Sequence, residues 1–147
     1  MKKLLLSFLC FVSFVGLGMA QDVQLDFTSN AWNLPTTKGS AKDGKDHTYS
    51  NGEYSVVLNS STGDGFYYNS QKYLMLGKTN AYLQLPAFDF NVSKIVVVGR
   101  TGASGSTGMN VFVGDVAVSK ATTGSTATNS YDIDANYQAA GNLYKIK

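Results

Sequence analysis

The strongest constraint on the fold of this chain is that apolar and polar residues alternate with a period of two. Beyond residue 20, β-branched and aromatic residues alternate with polar ones over short runs, and clusters of Gly, Asn, Asp and Ser interrupt these runs. Such alternation is typical of half-buried strands joined by tight turns. The clearest run is residues 52–59, in which Tyr54, Val56 and Leu58 share one face after the turn dipeptide Asn51-Gly52. No window of eleven residues holds a helical period, so little helix is expected.

The same reading predicts an all-β fold, a two-sheet antiparallel β-sandwich of jelly-roll type, as a single domain over residues 21–147. A turn at residues 77–80 should join two strands as a hairpin, and the continuous β-branched run at 94–99 should be covered on both faces. Two segments without strand character, 34–46 and 100–108, should be loops. Strands are predicted over residues 23–27, 52–59, 65–69, 73–76, 81–85, 94–99, 110–113, 115–119, 126–132 and 142–147.

The strand-like residues 143–147 end without a turn or tail, which leaves two interpretations. Either they are the final strand, or the chain lacks its last strand and exposes one sheet edge. The second interpretation is favoured.

Residues 1–20 have the pattern of a signal peptide. A basic start, Lys2-Lys3, precedes an apolar run over residues 4–15, and small residues at Gly18 and Ala20 form a cleavage site. The apolar run is shorter than the roughly 20 residues that a membrane span needs. Cys10 follows Leu9 rather than a small residue, which argues against lipidation. The chain is therefore predicted to be secreted, to the periplasm or cell surface, with no membrane insertion after cleavage.

Cleavage changes the charge and the cysteine content. Two of the 12 Lys and Arg residues leave with the signal peptide, so the remainder carries ten charges of each sign. A neutral domain lacks the field that attracts phosphate backbones, so no nucleic-acid partner is expected. The single cysteine also leaves, so the domain is held by its core without disulfides.

The sequence offers no set of catalytic residues. His47 is the single histidine, and no serine lies in a Gly-x-Ser-x-Gly elbow. Glu53 is the single glutamate and follows a turn, where exposure is the default. The interpretation is a protein that is not an enzyme, although a small hydrolase using His47 and Glu53 is a weaker alternative.

Calcium is the one metal ion for which the sequence offers candidate ligands. Asp43 and Asp46, and likewise Asp132 and Asp134, place two carboxylates close in sequence, and carbonyl oxygens could complete a calcium shell around either pair. Neither pair has EF-hand spacing. No cofactor is predicted, and a structural calcium stays open as an alternative.

Aromatic residues are the remaining pointer to a ligand, because sugar rings present apolar C–H faces that stack on aromatic planes. Because side chains alternate along a strand, Phe66 and Tyr68 should lie on the face opposite to that of Tyr67, and Leu83 on the face opposite to that of Tyr82. Outward-facing tyrosines are therefore expected at three positions, with the single tryptophan as either a binding platform or, preferably, a core anchor. The candidate ligand-binding residues are Tyr67, Tyr73, Tyr82 and Trp32.

The order of several motifs adds a resemblance. The segments are Leu25-Asp26-Phe27 with Trp32, Gly52-Glu53-Tyr54-Ser55-Val56, Phe66-Tyr67-Tyr68, Leu74-Met75-Leu76-Gly77-Lys78, Ala81-Tyr82-Leu83-Gln84-Leu85-Pro86 and Val92-Ser93-Lys94-Ile95. This order resembles the galactose-binding-like, carbohydrate-binding-module-type β-sandwiches of secreted proteins in gut-type Gram-negative bacteria. The resemblance implies a jelly roll and a binding role for a polysaccharide or other glycan. A structural or adhesive surface protein that binds another protein is the alternative.

Overall fold

The computed structural model describes residues 9–13, 22–99, 109–121 and 128–147. Within these ranges the chain is almost entirely strand and connecting loop, and the one helical segment is a single 3₁₀ turn at Ala135–Tyr137. No described helix has the length and apolar character needed to cross a membrane. The strands are β1 Leu9–Ser13, β2 Val23–Asp26, β3 His47–Asn51, β4 Tyr54–Asn59, β5 Tyr67–Asn69, β6 Tyr73–Met75, β7 Tyr82–Gln84, β8 Lys94–Val98, β9 Val111–Val113, β10 Val116–Ala117, β11 Thr128–Asp132 and β12 Tyr144–Ile146.

These strands form two main sheets and one ribbon. The four-stranded sheet has the order β11-β8-β1-β2, and the six-stranded sheet has the order β10-β9-β12-β7-β4-β3. Strands β5 and β6 form a separate two-stranded ribbon. All these pairings are antiparallel.

The two main sheets share one apolar core. Their alternating inward residues belong to a single cluster, with Leu25 and Ile95 from the four-stranded sheet and Leu58, Leu83 and Ile146 from the six-stranded one. Two sheets whose inner faces bury a common core constitute a β-sandwich. The predicted all-β sandwich is therefore confirmed, whereas the jelly-roll connectivity stays a prediction.

The alternation of residues predicts side-chain burial best in strands that have one buried face. In β4, Val56 and Leu58 are fully buried while Ser55 is exposed, as predicted. Strand β3 was not predicted, because it lies at the sheet edge and its five residues, His-Thr-Tyr-Ser-Asn, contain no fully buried side chain. It pairs with β4 through the predicted turn at Asn51-Gly52.

Two further predictions about strands are wrong. Residues 77–80 do not close a hairpin between β6 and β7, because β6 pairs with β5 while β7 lies between β4 and β12. Strand β8 is not covered on both faces. Ile95 and Val97 are buried, but Val96 and Val98 are only half-buried. The predicted loop at residues 100–108 lies outside the described residues.

Both ends of the chain contribute strands to the interior of a sheet. β12 lies between β7 and β9 in the six-stranded sheet. β1 lies between β8 and β2 in the four-stranded sheet, although it falls within the predicted signal peptide. Removal of residues 1–20 stays a prediction.

Candidate functional site

Most of the aromatic residues predicted to face outwards do not do so. Tyr67 is 8% exposed and Tyr73 is 3% exposed, so neither offers a ring face to a ligand. The physical reason is that they belong to the β5–β6 ribbon, where Tyr73 and its neighbour Leu74 are both buried, so alternation does not separate an inner from an outer face. Tyr82 is half-buried on β7 with Leu83 fully buried beside it, as predicted.

Trp32 is a core residue. Its side chain is 2% exposed, and its ring stacks on Phe27 with the ring centroids 5.0 Å apart. The indole Nε1–H donates a hydrogen bond of 2.7 Å to the Asp26 carbonyl oxygen. The interpretation of Trp32 as a core anchor is confirmed, and a role as a surface platform is incompatible with this burial.

The outer face of the six-stranded sheet carries a row of side chains that runs across five strands. The register pairs Thr48 with Val57, Val57 with Gln84, Gln84 with Lys145, and Lys145 with Phe112. Directly opposed residues project from the same face of a sheet. Their chain neighbours are the inward residues of the core, so this row faces away from it.

A second row lies beside the first. Asn59 pairs with Tyr82, and the register continues to Lys147, which exchanges backbone hydrogen bonds of 2.8 and 3.1 Å with Asn110. At the other end, Asn59 Nδ2 donates to Asp46 Oδ1 over 2.7 Å. From the two rows we single out six half-buried side chains with aromatic, amide or ammonium groups, and we call them the platform: Asn59, Tyr82, Gln84, Phe112, Lys145 and Lys147.

Each aromatic ring of the platform has a lysine ammonium group against it. Lys145 Nζ lies 4.4 Å from the centroid of the Tyr82 ring, and Lys147 Nζ lies 4.2 Å from the centroid of the Phe112 ring. Both distances fit cation–π contacts, which contribute about 0.5–1 kcal/mol at exposed sites. A cation and an apolar ring therefore stand side by side at two points on one face.

Tyr82 is fixed by a hydrogen bond from its hydroxyl to Asp46 Oδ1. Partial burial, and next this hydrogen bond, raise the pKa of Tyr82 to about 12. The same Tyr82 hydrogen bond, followed by that from Asn59, lowers the pKa of Asp46 below its usual value of 3.8. Tyr82 is thus neutral and Asp46 ionised throughout the neutral pH range.

A surface pocket adjoins the platform. It has a volume of about 340 Å³ and is lined by Asn80, Met109, Asn110, Phe112, Ala121 and Lys147. Phe112 and Lys147 therefore belong to both the pocket and the platform. Its lining combines an aromatic ring, a thioether, two amides and an ammonium group, and its volume lies at the lower end of the roughly 300–1,000 Å³ typical of small-ligand sites.

The residues considered for catalysis have other contacts. His47 Nε2 lies 3.0 Å from Asp43 Oδ1, and its ring packs edge-on against Phe66 at 5.5 Å between centroids. Ser50, the serine nearest to His47 in the sequence, bonds through its Oγ to Ser55 Oγ at 2.7 Å rather than to the imidazole. The geometry therefore does not place the histidine against a serine nucleophile among these side chains.

The carboxylates considered for calcium also have protein partners. Asp43 accepts from the Lys45 backbone N–H at 3.0 Å in addition to its contact with His47, and Asp132 pairs with Lys94 at 3.3 Å. Asp134 accepts from the backbone of the 3₁₀ turn at 2.9 Å. Across the part of the chain that the structure describes, no three His, Cys, Asp or Glu side chains are grouped as metal ligands.

Comparison with known proteins identifies no relative of this chain. The chain matches no protein-family model, no curated protein and no solved structure. The resemblance to galactose-binding-like modules stays an expectation from the sequence, and the functional argument depends on the platform and its pocket.

Proposed function

We propose that this chain is a secreted, non-catalytic binding module whose platform binds carbohydrate. The observation that carries the proposal is the pair of half-buried rings, Tyr82 and Phe112, on one outer sheet face, each with a lysine ammonium group within 4.4 Å of its centroid. Gln84 and Asn59 add amide groups to the same face.

This combination matches the chemistry of a sugar. The apolar C–H face of a pyranose stacks on an aromatic ring, while amide and ammonium groups hydrogen-bond the hydroxyls around its edge. Stacking would displace the ammonium group from the ring face, and the freed ammonium group would then donate a hydrogen bond to a sugar oxygen. The rows from β9 to β4 cross three strand spacings, about 14 Å, so the platform suits a chain of sugars rather than a single ring.

The charge of the platform favours an acidic polysaccharide. Lys145 and Lys147 form none of the ion pairs found among the described side chains. The ionised carboxylate of Asp46, which accepts hydrogen bonds from Tyr82 and Asn59, also attracts Lys145 and offsets part of this positive charge. The two ammonium groups on one face would still attract the carboxylate or sulfate groups of a uronic or sulfated glycan, and the attraction should weaken as salt rises.

The alternative, an adhesive protein that docks a protein through an apolar surface, is less well supported. Among the described residues, the large apolar side chains exposed to solvent are Val116, at 49%, and Leu143, at 46%. Two such side chains cannot make the roughly 800 Å² that each partner of a stable protein interface contributes. A jelly-roll connectivity and the predicted export to the periplasm or cell surface belong to the same proposal as carbohydrate binding.

The experiment is a binding screen with matched variants. The processed protein is run in affinity gel electrophoresis against neutral, uronic and sulfated polysaccharides, and any ligand is then titrated by calorimetry. We expect Phe112→Ala to weaken the affinity about tenfold, since a buried aromatic contact contributes on the order of 1–2 kcal/mol. Lys145→Gln should weaken the affinity for acidic polysaccharides more than the affinity for neutral ones.

The controls lie on the opposite sheet. Val96→Ala removes a half-buried apolar group from the outer face of β8, and Lys94→Gln removes a lysine that pairs with Asp132. Neither change should alter the affinity. Retention on none of the polysaccharides, or equal losses in the platform variants and the controls, would contradict the proposal.

A further inference from the structure

The pocket beside the platform contains a lysine and no carboxylate side chain among its described lining residues. Its polar members are Asn80, Asn110 and Lys147. An ammonium group only donates hydrogen bonds, whereas a side-chain amide can donate or accept them. The chemistry of the pocket therefore depends on which group of its amides is available to a ligand.

The amide of Asn110 has its donor group available. Its Oδ1 accepts a hydrogen bond of 2.8 Å from the Val111 backbone N–H and another from the Ser119 hydroxyl. A carbonyl oxygen has two lone pairs, and these bonds use both. The Nδ2 amino group is thus the part of Asn110 that can bond a ligand. Like the Lys147 ammonium group, it offers the N–H donors that carboxylate and sulfate oxygens accept from.

The two platform lysines differ in their surroundings. Lys147 lines the pocket, and its Nζ lies 4.2 Å from the centroid of Phe112, so a positive charge and an apolar ring are adjacent in the pocket wall. Lys145 Nζ lies over Tyr82, whose hydroxyl bonds to the ionised Asp46, and Asp46 attracts Lys145. Among the described side chains, the platform charge that no carboxylate offsets is therefore that of Lys147.

The pocket lies at the basic end of the sandwich, where β7 and β9 begin and β12 ends. The lysines in and beside the loops of this end are Lys38, Lys42, Lys45, Lys78, Lys120 and Lys147. The acidic side chains of this end each pair with a neighbour through a hydrogen bond or a salt bridge. They are Asp26, Asp43, Asp46 and Asp64.

The opposite end of the sandwich is acidic. It comprises the β3–β4 turn, the β9–β10 turn and the segments that follow β7 and β11. Its charged side chains include Glu53, Asp89, Asp115, Asp132, Asp134 and Lys94. Charges segregated in this way produce a field that draws an anion towards one end of a protein. The acidic group of a ligand is therefore attracted to the end that holds the pocket.

We propose that the pocket recognises the acidic group of the glycan. One sugar residue packs against Phe112 and directs a carboxylate or sulfate group to the Lys147 ammonium group and the Asn110 amide. This inference rests on the proposed carbohydrate binding and deepens it, because it assigns charge recognition to one place on the surface. The volume of about 340 Å³ suits one residue of a chain.

The Tyr82 ring suits a neutral sugar. There the charges of Asp46 and Lys145 offset each other, so an anionic group gains little. β12 separates β7 from β9, which places the backbones of Tyr82 and Phe112 about 10 Å apart. Different residues of the same glycan would therefore occupy the two rings. The ligand class is a glycan that contains both acidic and neutral sugars.

The test compares polysaccharides that differ in charge alone. The probes are hyaluronan, in which acidic and neutral residues alternate, and polygalacturonate, each beside its methyl-esterified form. Their affinities are measured by calorimetry at low and at physiological salt. The variants are Lys147→Gln, which removes the charge, and Lys147→Arg, which keeps it. Lys145→Gln is the matched control, because it removes the same charge from β12 outside the pocket lining, and Lys94→Gln is the control at the acidic end.

We expect the wild type to prefer hyaluronan over its ester by about tenfold at low salt, and less at physiological salt. Lys147→Gln should remove most of this preference without changing the affinity for the ester, and Lys147→Arg should retain it. Lys145→Gln should reduce it by no more than about twofold, since surface charge pairs contribute little, and Lys94→Gln should leave it unchanged.

Two results would overturn the assignment of the pocket and leave carbohydrate binding intact. One is equal affinity for the acidic and esterified forms, with both weakened by Phe112→Ala. The other is a preference for the acidic form that Lys145→Gln and Lys147→Gln reduce equally, because the charge would then be recognised over the whole platform. Retention on no polysaccharide in the binding screen would contradict the proposed function itself, and this inference with it.

Discussion

Replacing Trp32 by phenylalanine separates a core role from a ligand-binding role at the one tryptophan of the chain. Trp32→Phe removes the indole N–H that donates to the Asp26 carbonyl at 2.7 Å. This carbonyl is part-buried, and leaving an acceptor without a partner costs about 1–3 kcal/mol. The smaller ring also leaves unfilled volume in a site that is 2% exposed, which adds about 1 kcal/mol.

The expected total for Trp32→Phe is a loss of about 3 kcal/mol in the free energy of unfolding. For a domain of this size that loss lowers the thermal midpoint by roughly 10 °C. Urea denaturation followed by circular dichroism gives the free energy of unfolding, and the folded variant should bind polysaccharide with unchanged affinity.

The control for Trp32→Phe is Tyr68→Phe, which removes a hydroxyl that donates to the Thr28 carbonyl at 2.8 Å in an exposed setting. Water can replace that donor, so the expected loss is below about 1.5 kcal/mol. A Trp32→Phe variant with unchanged stability but lost polysaccharide binding would refute the placement of this ring in the core.

The remaining predictions concern the space beside two glycines, the pH dependence of stability and the ionisation of a tyrosine. Gly65→Ala should destabilise the fold by about 1–3 kcal/mol more than Gly52→Ala, as measured by denaturation. Both glycines have positive φ, but an added Cβ at Gly65 would lie 2.2 Å from the Ala41 carbonyl oxygen, whereas at Gly52 it would meet nothing within 4 Å; equal losses would argue against this close contact. The lowered pKa of Asp46 means that its contribution to stability is present above pH 3.8 and is lost as the pH falls through the lowered value. The difference in thermal midpoint between wild type and Asp46→Asn should therefore be constant from pH 5 to 9 and disappear in stronger acid, and a difference that faded near pH 5 would contradict it. The raised pKa of Tyr82, to which the Asp46 carboxylate contributes, predicts that Asp46→Asn shifts part of the ultraviolet tyrosine titration to lower pH.

Local alternation predicted the sandwich but could not predict its pairing. β4 and β7 were predicted with the correct inner faces, because each has one buried and one solvent-facing side. β3 was missed because an edge strand can be polar on both sides. The turn at 77–80 was misread as a hairpin because two strands that are adjacent in sequence need not be adjacent in a sheet.

The candidate site was found only in part for the same reason. Tyr82 was predicted to face outwards, and Gln84 shares its face by alternation within β7. Phe112 and Lys145 could not be added to them from sequence, because their proximity depends on β12 lying between β7 and β9. Their separation along the chain carries no signal of that order.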